Sequence, residues 1–143
     1  MEDETGRPFV GRSGKLLDEL IASAGLSRDD VFITSVLKCR PPGNRDPRPE
    51  EKKACGHWME MQISSLAPKL IAPLGRHGLL FLQERYGRSF GTISREHGRE
   101  YRFMEPWGEV GVIPLYHPAA LIYRRHLMTD ALEDMRFIAD LLG

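Results

Sequence analysis

The sequence predicts a single α/β domain, and three observations support this prediction. Short apolar runs at residues 31–37, 69–74 and 110–116 have the length and β-branched content of buried strands. Segments with helical spacing of apolar residues alternate with these runs. The length of 143 residues suits one domain, since domains usually have about 100–200 residues. We therefore expect a three-layer α/β/α domain over residues 1–143, with a central parallel sheet.

Four helices are predicted from the spacing of apolar side chains. The first has Ser13 as its N-cap and ends at Gly25. The second spans residues 49–65, where a proline in the first turn is tolerated. A third reaches about Tyr86, and a final helix of about four turns covers residues 127–142.

The segments between these elements are polar. Residues 38–49 contain four prolines and several arginines, which forbids regular structure there. Residues 88–109 have no clear periodicity, although residues 100–104 could form an edge strand. This predicted order begins with a loop and a helix, whereas doubly wound folds usually begin with a strand.

Composition and charge exclude several classes of protein. Twenty basic residues balance twenty acidic residues, so no net field draws the chain to nucleic acid or to an anionic membrane. The sequence lacks an apolar run of the roughly 18 residues that a membrane span needs. Its start, residues 1–4, is acidic, unlike the basic start of a signal peptide. We expect a cytoplasmic protein that acts as a monomer.

The cysteine content leaves several interpretations open. Cys39 and Cys55 are too few for a disulfide-stapled secreted scaffold. They are buried thiols, a redox pair or metal ligands, and His57 could be a third ligand. Iron–sulfur clusters and structural zinc sites each need about four ligands, so the pair alone does not complete either site.

Two other segments could carry chemistry. Residues 8–15 form a glycine-bearing loop that enters a helix, where backbone N–H groups and Lys15 suit a phosphate, although ordinary helix capping also explains it. Phe9 in this loop is either a core residue or an exposed ring for stacking on a base. His117 directly follows a predicted strand, where ligands bind in open α/β sheets, although a lone histidine is often only a hydrogen-bonded residue.

Several arginines are expected at the same edge of the sheet, where they form a local phosphate-binding rim or a solvated face. They are Arg40, Arg45, Arg48, Arg76, Arg124 and Arg125.

Taken together, four segments resemble the family 4 uracil-DNA glycosylases in order and spacing. They are Gly-Arg-Pro-Phe-Val-Gly at 6–11, Thr-Ser-Val-Leu-Lys-Cys-Arg-Pro-Pro-Gly-Asn-Arg-Asp-Pro at 34–47, Cys55, and Tyr-His-Pro-Ala-Ala-Leu at 116–121. The resemblance covers essentially the whole chain. It implies a four-stranded parallel sheet between helices and removal of uracil from deaminated DNA by hydrolysis of its N-glycosidic bond.

The resemblance also implies roles for individual residues. Phe9 would stack on the flipped base, and Gly11 lies in the same substrate-binding loop. His117 would hydrogen-bond the uracil carbonyl on which negative charge develops. Leu121 and Arg124 would press into the gap left by the base and hold nearby phosphates.

In the loop at residues 38–49, which is rich in proline and arginine, Arg40 and Arg45 would contact DNA. Cys39 and Cys55 would be two of the four ligands of a structural 4Fe-4S cluster.

The sequence departs from the family pattern at two places. The family begins with a Cys-x-x-Cys pair, a strand and a Gly-Glu-x-Pro-Gly loop that positions the attacking water, whereas only Glu2 and Asp3 match the end of that loop. We therefore expect a missing first strand, poor stability unless the gap in the sheet is filled, and a residual catalytic role for Glu2. Ser35 replaces the usual Asn, and a hydroxyl discriminates uracil from cytosine less well than an amide does.

Two rival hypotheses belong to other classes. One is a non-catalytic module that binds damaged or single-stranded DNA through the retained base pocket. The other is a zinc- or nucleotide-binding α/β module unrelated to repair.

Overall fold

The computed structural model describes the backbone of residues 11–34 and 49–143, and the side chains of residues 11–34 and 57–143. The helices are α1 (Gly11–Ser23), α2 (Pro49–Leu66), α3 (Gly75–Tyr86), α4 (Ile93–Glu96), α5 (Pro118–Tyr123) and α6 (Met128–Leu142). The strands are β1 (Leu70–Ile71), β2 (Tyr101–Glu105) and β3 (Gly108–Val112). Short 3-10 turns cover Arg28–Asp30 and Arg125–Leu127. No helix among these elements is long and apolar enough to cross a bilayer.

The described strands form one mixed sheet in the order β1-β3-β2. β1 and β3 are parallel, with Leu70 opposite Gly111, whereas β2 and β3 form an antiparallel hairpin. The expectation of a purely parallel sheet is therefore wrong for this part of the chain. The chain reverses direction in the two-residue turn at Pro106 and Trp107, and Gly108, whose φ is 130°, begins β3 directly after it.

Helices pack on both faces of β3 and of the residues that directly continue it. Ile113 and Leu115 belong to one cluster with Leu20 of α1 and with Met135 and Ile138 of α6. Val110 and Val112 point to the opposite face of the strand, where they pack against Leu82 of α3. Val110, Val112 and Ile113 are completely buried. The α/β class predicted from the alternation of elements is thus confirmed, with the core on both sides of one central strand.

Most predicted helices match the structure. α1 buries Leu17, Leu20 and Ile21, but it starts at Gly11, so Ser13 lies inside the first turn and is not the N-cap. α2, α3 and α6 agree with their predicted ranges within a few residues. α6 buries Ala131, Met135 and Ile138 at helical spacing.

The predicted strand at residues 31–37 is not found where the structure describes it. Residues 31–34 have no strand pairing, and Phe32 is 57% exposed. Phe32 lines an open apolar groove of about 320 Å³ with Trp58, Met61 and Leu66. The β-branched run is therefore not covered on both faces.

An ion pair connects α3 to the edge strand β2. The Arg85 guanidinium donates to both carboxylate oxygens of Glu105, at 2.8 and 3.1 Å. Beside it the rings of Tyr86 and Phe103 stack with centroids 4.2 Å apart. These contacts fix the predicted edge strand, which the structure extends to Glu105.

Candidate functional site

The candidate site lies where the chain leaves the parallel part of the sheet. Beyond β3, the Leu115 N–H donates to the Pro73 carbonyl at 2.9 Å, and the Gly75 N–H donates to the Leu115 carbonyl at 2.9 Å. This pairing carries the parallel register up to the start of α3. Tyr116 and His117 therefore emerge at the carboxyl end of the central strand, where open α/β sheets bind ligands.

His117 caps α5. Its Nδ1 accepts a hydrogen bond from the Ala119 N–H at 3.0 Å, and Pro118 occupies the first helical position. Because Nδ1 accepts, the neutral ring carries its proton on Nε2. The side chain is half-buried and presents a ring whose Nε2–H is a hydrogen-bond donor.

Gly75 lies against His117 at the start of α3. A Cβ on Gly75 would lie 2.9 Å from the His117 Cβ, and the φ of Gly75 is +73°. Both the positive φ and the close approach require glycine here. The backbone of α3 thus packs directly on the base of the histidine side chain.

A second histidine, His97, packs on the other side of the segment that leaves the central strand. The ring of His97 packs on the ring of Tyr116, with centroids 4.5 Å apart and an interplanar angle of 30°. His97 Nδ1 lies 2.8 Å from Asp134 Oδ2 of α6. Burial raises the pKa of Tyr116, and the carboxylates of Asp130 and Asp134 act in the same direction, so its phenol stays neutral.

The last residue of α5 and the three residues that follow it form an exposed basic surface. Tyr123 is 86% exposed, and Arg124, Arg125 and His126 are also exposed. We call these four residues the α5 loop surface. It combines an aromatic ring with cationic side chains a few residues from His117, which suits contact with a nucleic acid.

Leu121 does not belong to that surface. It is only 2% exposed and packs in the core with Leu20, Ile113 and Met135. The expected role of pressing into DNA does not fit this burial, because entering DNA would remove the side chain from the core. The helical spacing explains the difference, since Tyr123 lies two residues further along α5 and faces solvent.

The glycine loop before α1 is described only at its end. Gly11 has a φ of 82° and begins the helix, Lys15 is exposed, and neither has an acidic neighbour in the first turn. Of the predicted rim, Arg76, Arg124 and Arg125 are exposed.

Other predicted site residues lie outside the described part. They are Glu2, Phe9, Ser35, Cys39, Arg40, Arg45 and Arg48. The backbone at Cys55 is helical, within α2, and its side chain is also outside the described residues.

Four residues of this region are not predicted by the sequence patterns. Gly75 directly follows the apolar run at residues 69–74, and a glycine at the end of a strand is a sequence signal for close packing. His97 and Asp134 are isolated polar residues with no motif, and only the tertiary fold brings them together. Tyr123 could have been found as an aromatic residue beside two arginines.

Comparison with known proteins gives a consistent result. The family model described as the uracil DNA glycosylase superfamily matches residues 1–139. The type-4 uracil-DNA glycosylase of Archaeoglobus fulgidus is 48% identical over 143 residues, which cover 99% of this chain and 71% of that protein. The type-4 enzyme of Sulfurisphaera tokodaii is 44% identical over 141 residues, covering 98% of this chain and 64% of the relative.

A third relative gives the same result. The type-4 uracil-DNA glycosylase of Thermotoga maritima is 43% identical over 136 residues, covering 94% of this chain and 68% of its own length. The chain thus spans about two thirds of the length of these relatives. The identity and the matched range together show that the chain belongs to the uracil-DNA glycosylase superfamily, in its type-4 family.

Proposed function

We propose that the chain is a DNA-repair glycosylase that hydrolyses the N-glycosidic bond of uracil in deaminated DNA and leaves an abasic site. One observation carries this proposal beyond family membership. His117 is held at the strand exit with Nδ1 accepting from Ala119, which makes Nε2–H the donor of the neutral ring. A neutral donor fixed at a ligand-binding edge is the arrangement that stabilises a developing anion.

The proposed reaction uses this donor at the leaving group. The bond between C1′ of the deoxyribose and N1 of uracil breaks, and its electron pair remains on uracil. Water supplies the oxygen that bonds to C1′, and one water proton ends on the released base. Negative charge spreads to the uracil O2 carbonyl, where the His117 Nε2–H donates. Removing one such donor typically lowers the rate about 100- to 1000-fold.

Reaching the base requires DNA distortion. The target atom is hidden in a duplex, so the nucleotide must be flipped into the pocket. We assign DNA contact to the α5 loop surface: Tyr123 fills the space left in the stack, and Arg124 and Arg125 hold phosphates. Arg40 and Arg45 are proposed as further phosphate contacts.

The remaining pocket residues are proposed from the family motifs. Phe9 stacks on the flipped base, and Gly11 lets the loop approach it closely. Glu2 is proposed to orient the attacking water. Ser35, in place of Asn, offers one rotatable hydroxyl, so we expect weaker rejection of other bases than an amide would give.

Cys39 and Cys55 are proposed as thiolate ligands of a 4Fe-4S cluster with a structural role. Such a cluster takes about four thiolates, and this sequence contains two cysteines. Among the described side chains there is also no group of three His, Cys, Asp or Glu that could hold a metal. The residues present therefore do not complete the donor set, and we assign no catalytic step to a cluster.

The cellular setting follows from the substrate. A repair enzyme acts where DNA lies, and we propose that this one works as a monomer in the cell interior. We further propose the full three-layer α/β/α arrangement, supported by helices on both faces of the central strand.

Base excision by the purified 143-residue protein tests this function. Labelled oligonucleotides carry one uracil, one thymine or one cytosine at the same position, and alkali cleaves any abasic site. We expect cleavage to be much faster at uracil than at either of the other two bases. A folded protein that leaves all three intact would refute the proposed activity, and tight binding without cleavage would instead support the DNA-binding alternative.

A further inference from the structure

We propose that His97 and Asp134 are positioning residues for His117. Asp134 fixes the His97 ring, and that ring and the following Gly98 hold the segment 114–117 that carries the catalytic histidine. This inference rests on the proposed function for its kinetic readout, whereas the structural readout given below does not depend on activity.

The pair is fixed by burial and close packing. Asp134 is 8% exposed, and its Oδ2 lies 2.8 Å from His97 Nδ1. Gly98 packs so closely that a Cβ there would lie 2.2 Å from Asp134 Oδ1. The φ of Gly98 is +77°, which a side chain would also disfavour. The carboxylate is thus held between the His97 ring and the Gly98 backbone.

Two contacts connect the pair to the strand exit. The Gly98 N–H donates to the Pro114 carbonyl at 2.8 Å. The His97 ring packs on Tyr116, the residue directly before His117. Gly75 holds the opposite side by donating to the Leu115 carbonyl at 2.9 Å. The segment 114–117 is therefore held from two sides, and His97 with Gly98 forms one of them.

Burial and the neighbouring charges determine the electrostatics of Asp134. Burial raises the pKa of this carboxyl despite the opposing effect of His97, and Asp130 and Glu133 add to the rise. The ionised group is therefore less favourable in the fold than in the unfolded chain. The support for a positioning role is therefore the geometry, in which this buried carboxyl contacts both His97 and Gly98.

A double-mutant cycle tests the proposal. We expect Asp134→Ala and His97→Ala each to lower kcat by about 10-fold or more with little change in KM, because small misplacements of a catalytic group are costly. In a His117→Ala background, Asp134→Ala should cost less than about 2-fold, since the group that it positions is gone. Asp134→Asn, whose amide oxygen can still accept from His97, should restore most of the rate.

Glu133→Gln is the matched control, because Glu133 precedes Asp134 on α6 and is exposed. It should leave kcat unchanged. Equal losses from Asp134→Ala with and without His117 would overturn the proposal, as would a kcat for His97→Ala equal to that of the unmodified protein.

Hydrogen exchange supplies the readout that needs no activity. The Ala119 N–H donates to His117 Nδ1. In His97→Ala this amide should exchange about 10-fold faster, while amides of the α6 core such as that of Ile138 stay unchanged. An unchanged Ala119 amide would overturn the proposal. If the protein does not excise uracil but Ala119 responds, the proposed function fails and the positioning role stands.

Discussion

Gly75 leaves no room for a side chain against His117, because a Cβ on Gly75 would lie 2.9 Å from the Cβ of the histidine. The contact is between a helix start and a strand exit, two parts of the fold that the parallel pairing of Pro73 and Gly75 with Leu115 holds together. The position of the His117 side chain therefore depends on residue 75, forty-two positions earlier in the chain, having no side chain.

Gly75→Ala should impair excision more than it impairs folding. The substitution costs about 1–3 kcal/mol of stability for the positive φ and also displaces His117. Gly25→Ala is the matched control, because the φ of Gly25 is +76° and nothing lies within 4 Å of the position that a Cβ would occupy there. Both variants should lose unfolding free energy, measured in urea, because of the positive φ, and Gly75→Ala should lose more because its Cβ also clashes with His117. Only Gly75→Ala should lose an additional 10-fold or so in single-turnover rate. Equal rates in the two variants would contradict the contact.

Leu121→Ala and Tyr123→Ala should separate core packing from DNA contact. Leu121 is buried, so its truncation should lower the unfolding free energy by about 2–5 kcal/mol. Tyr123 is 86% exposed, so its truncation should leave stability within about 0.5 kcal/mol. Thermal and urea unfolding measure both effects.

Tyr123 should also matter for excision from duplex DNA. Tyr123→Ala should lower excision from duplex DNA by about 10-fold, since base stacking on an aromatic ring is worth roughly 1–3 kcal/mol. Excision from a single strand should change little, because no stack has to be opened. Tyr123→Trp should keep duplex activity. Equal losses on single and double strands would argue against a role in base flipping.

The stability contributed by Asp134 should fall as pH rises. Burial raises its pKa above the usual 3.8, so the folded chain binds more protons than the unfolded chain between 3.8 and the folded value. The unfolding free energy of the unmodified protein relative to Asp134→Asn should therefore decrease with pH across this window and level off above it. Glu133→Gln, at an exposed neighbouring position, should show no comparable slope. A difference that increases with pH would contradict the assignment.

The sequence predicts the helices better than the sheet. The apolar spacing at Leu17, Leu20 and Ile21 and that of α6 is a local signal, and both helices are found. The run at residues 31–34 has strand composition but lacks a pairing partner in the described structure, and pairing is not a local property. The two strands of the β2–β3 hairpin each carry a sequence signal, but their antiparallel pairing is a relation between segments that no local pattern gives.

The candidate site likewise contains residues that local sequence patterns predict and residues that they do not. His117 could be found because a motif surrounds it and a strand precedes it. Gly75, His97 and Asp134 act on that residue through contacts between distant segments, which no spacing in the sequence encodes. Leu121 and Tyr123 share one motif region, and only the orientation of α5 decides which of them faces solvent.

The role of His117 as the donor to the leaving base is best tested by the excision rate of His117→Ala on a uracil-containing duplex, with the unmodified protein measured in parallel. We predict a loss of about 100- to 1000-fold in the single-turnover rate, with DNA affinity nearly unchanged. His117→Asn, which can still cap α5 through its side-chain oxygen, separates helix capping from donation to the base. A folded His117→Ala protein that removes uracil at the rate of the unmodified protein would contradict this role.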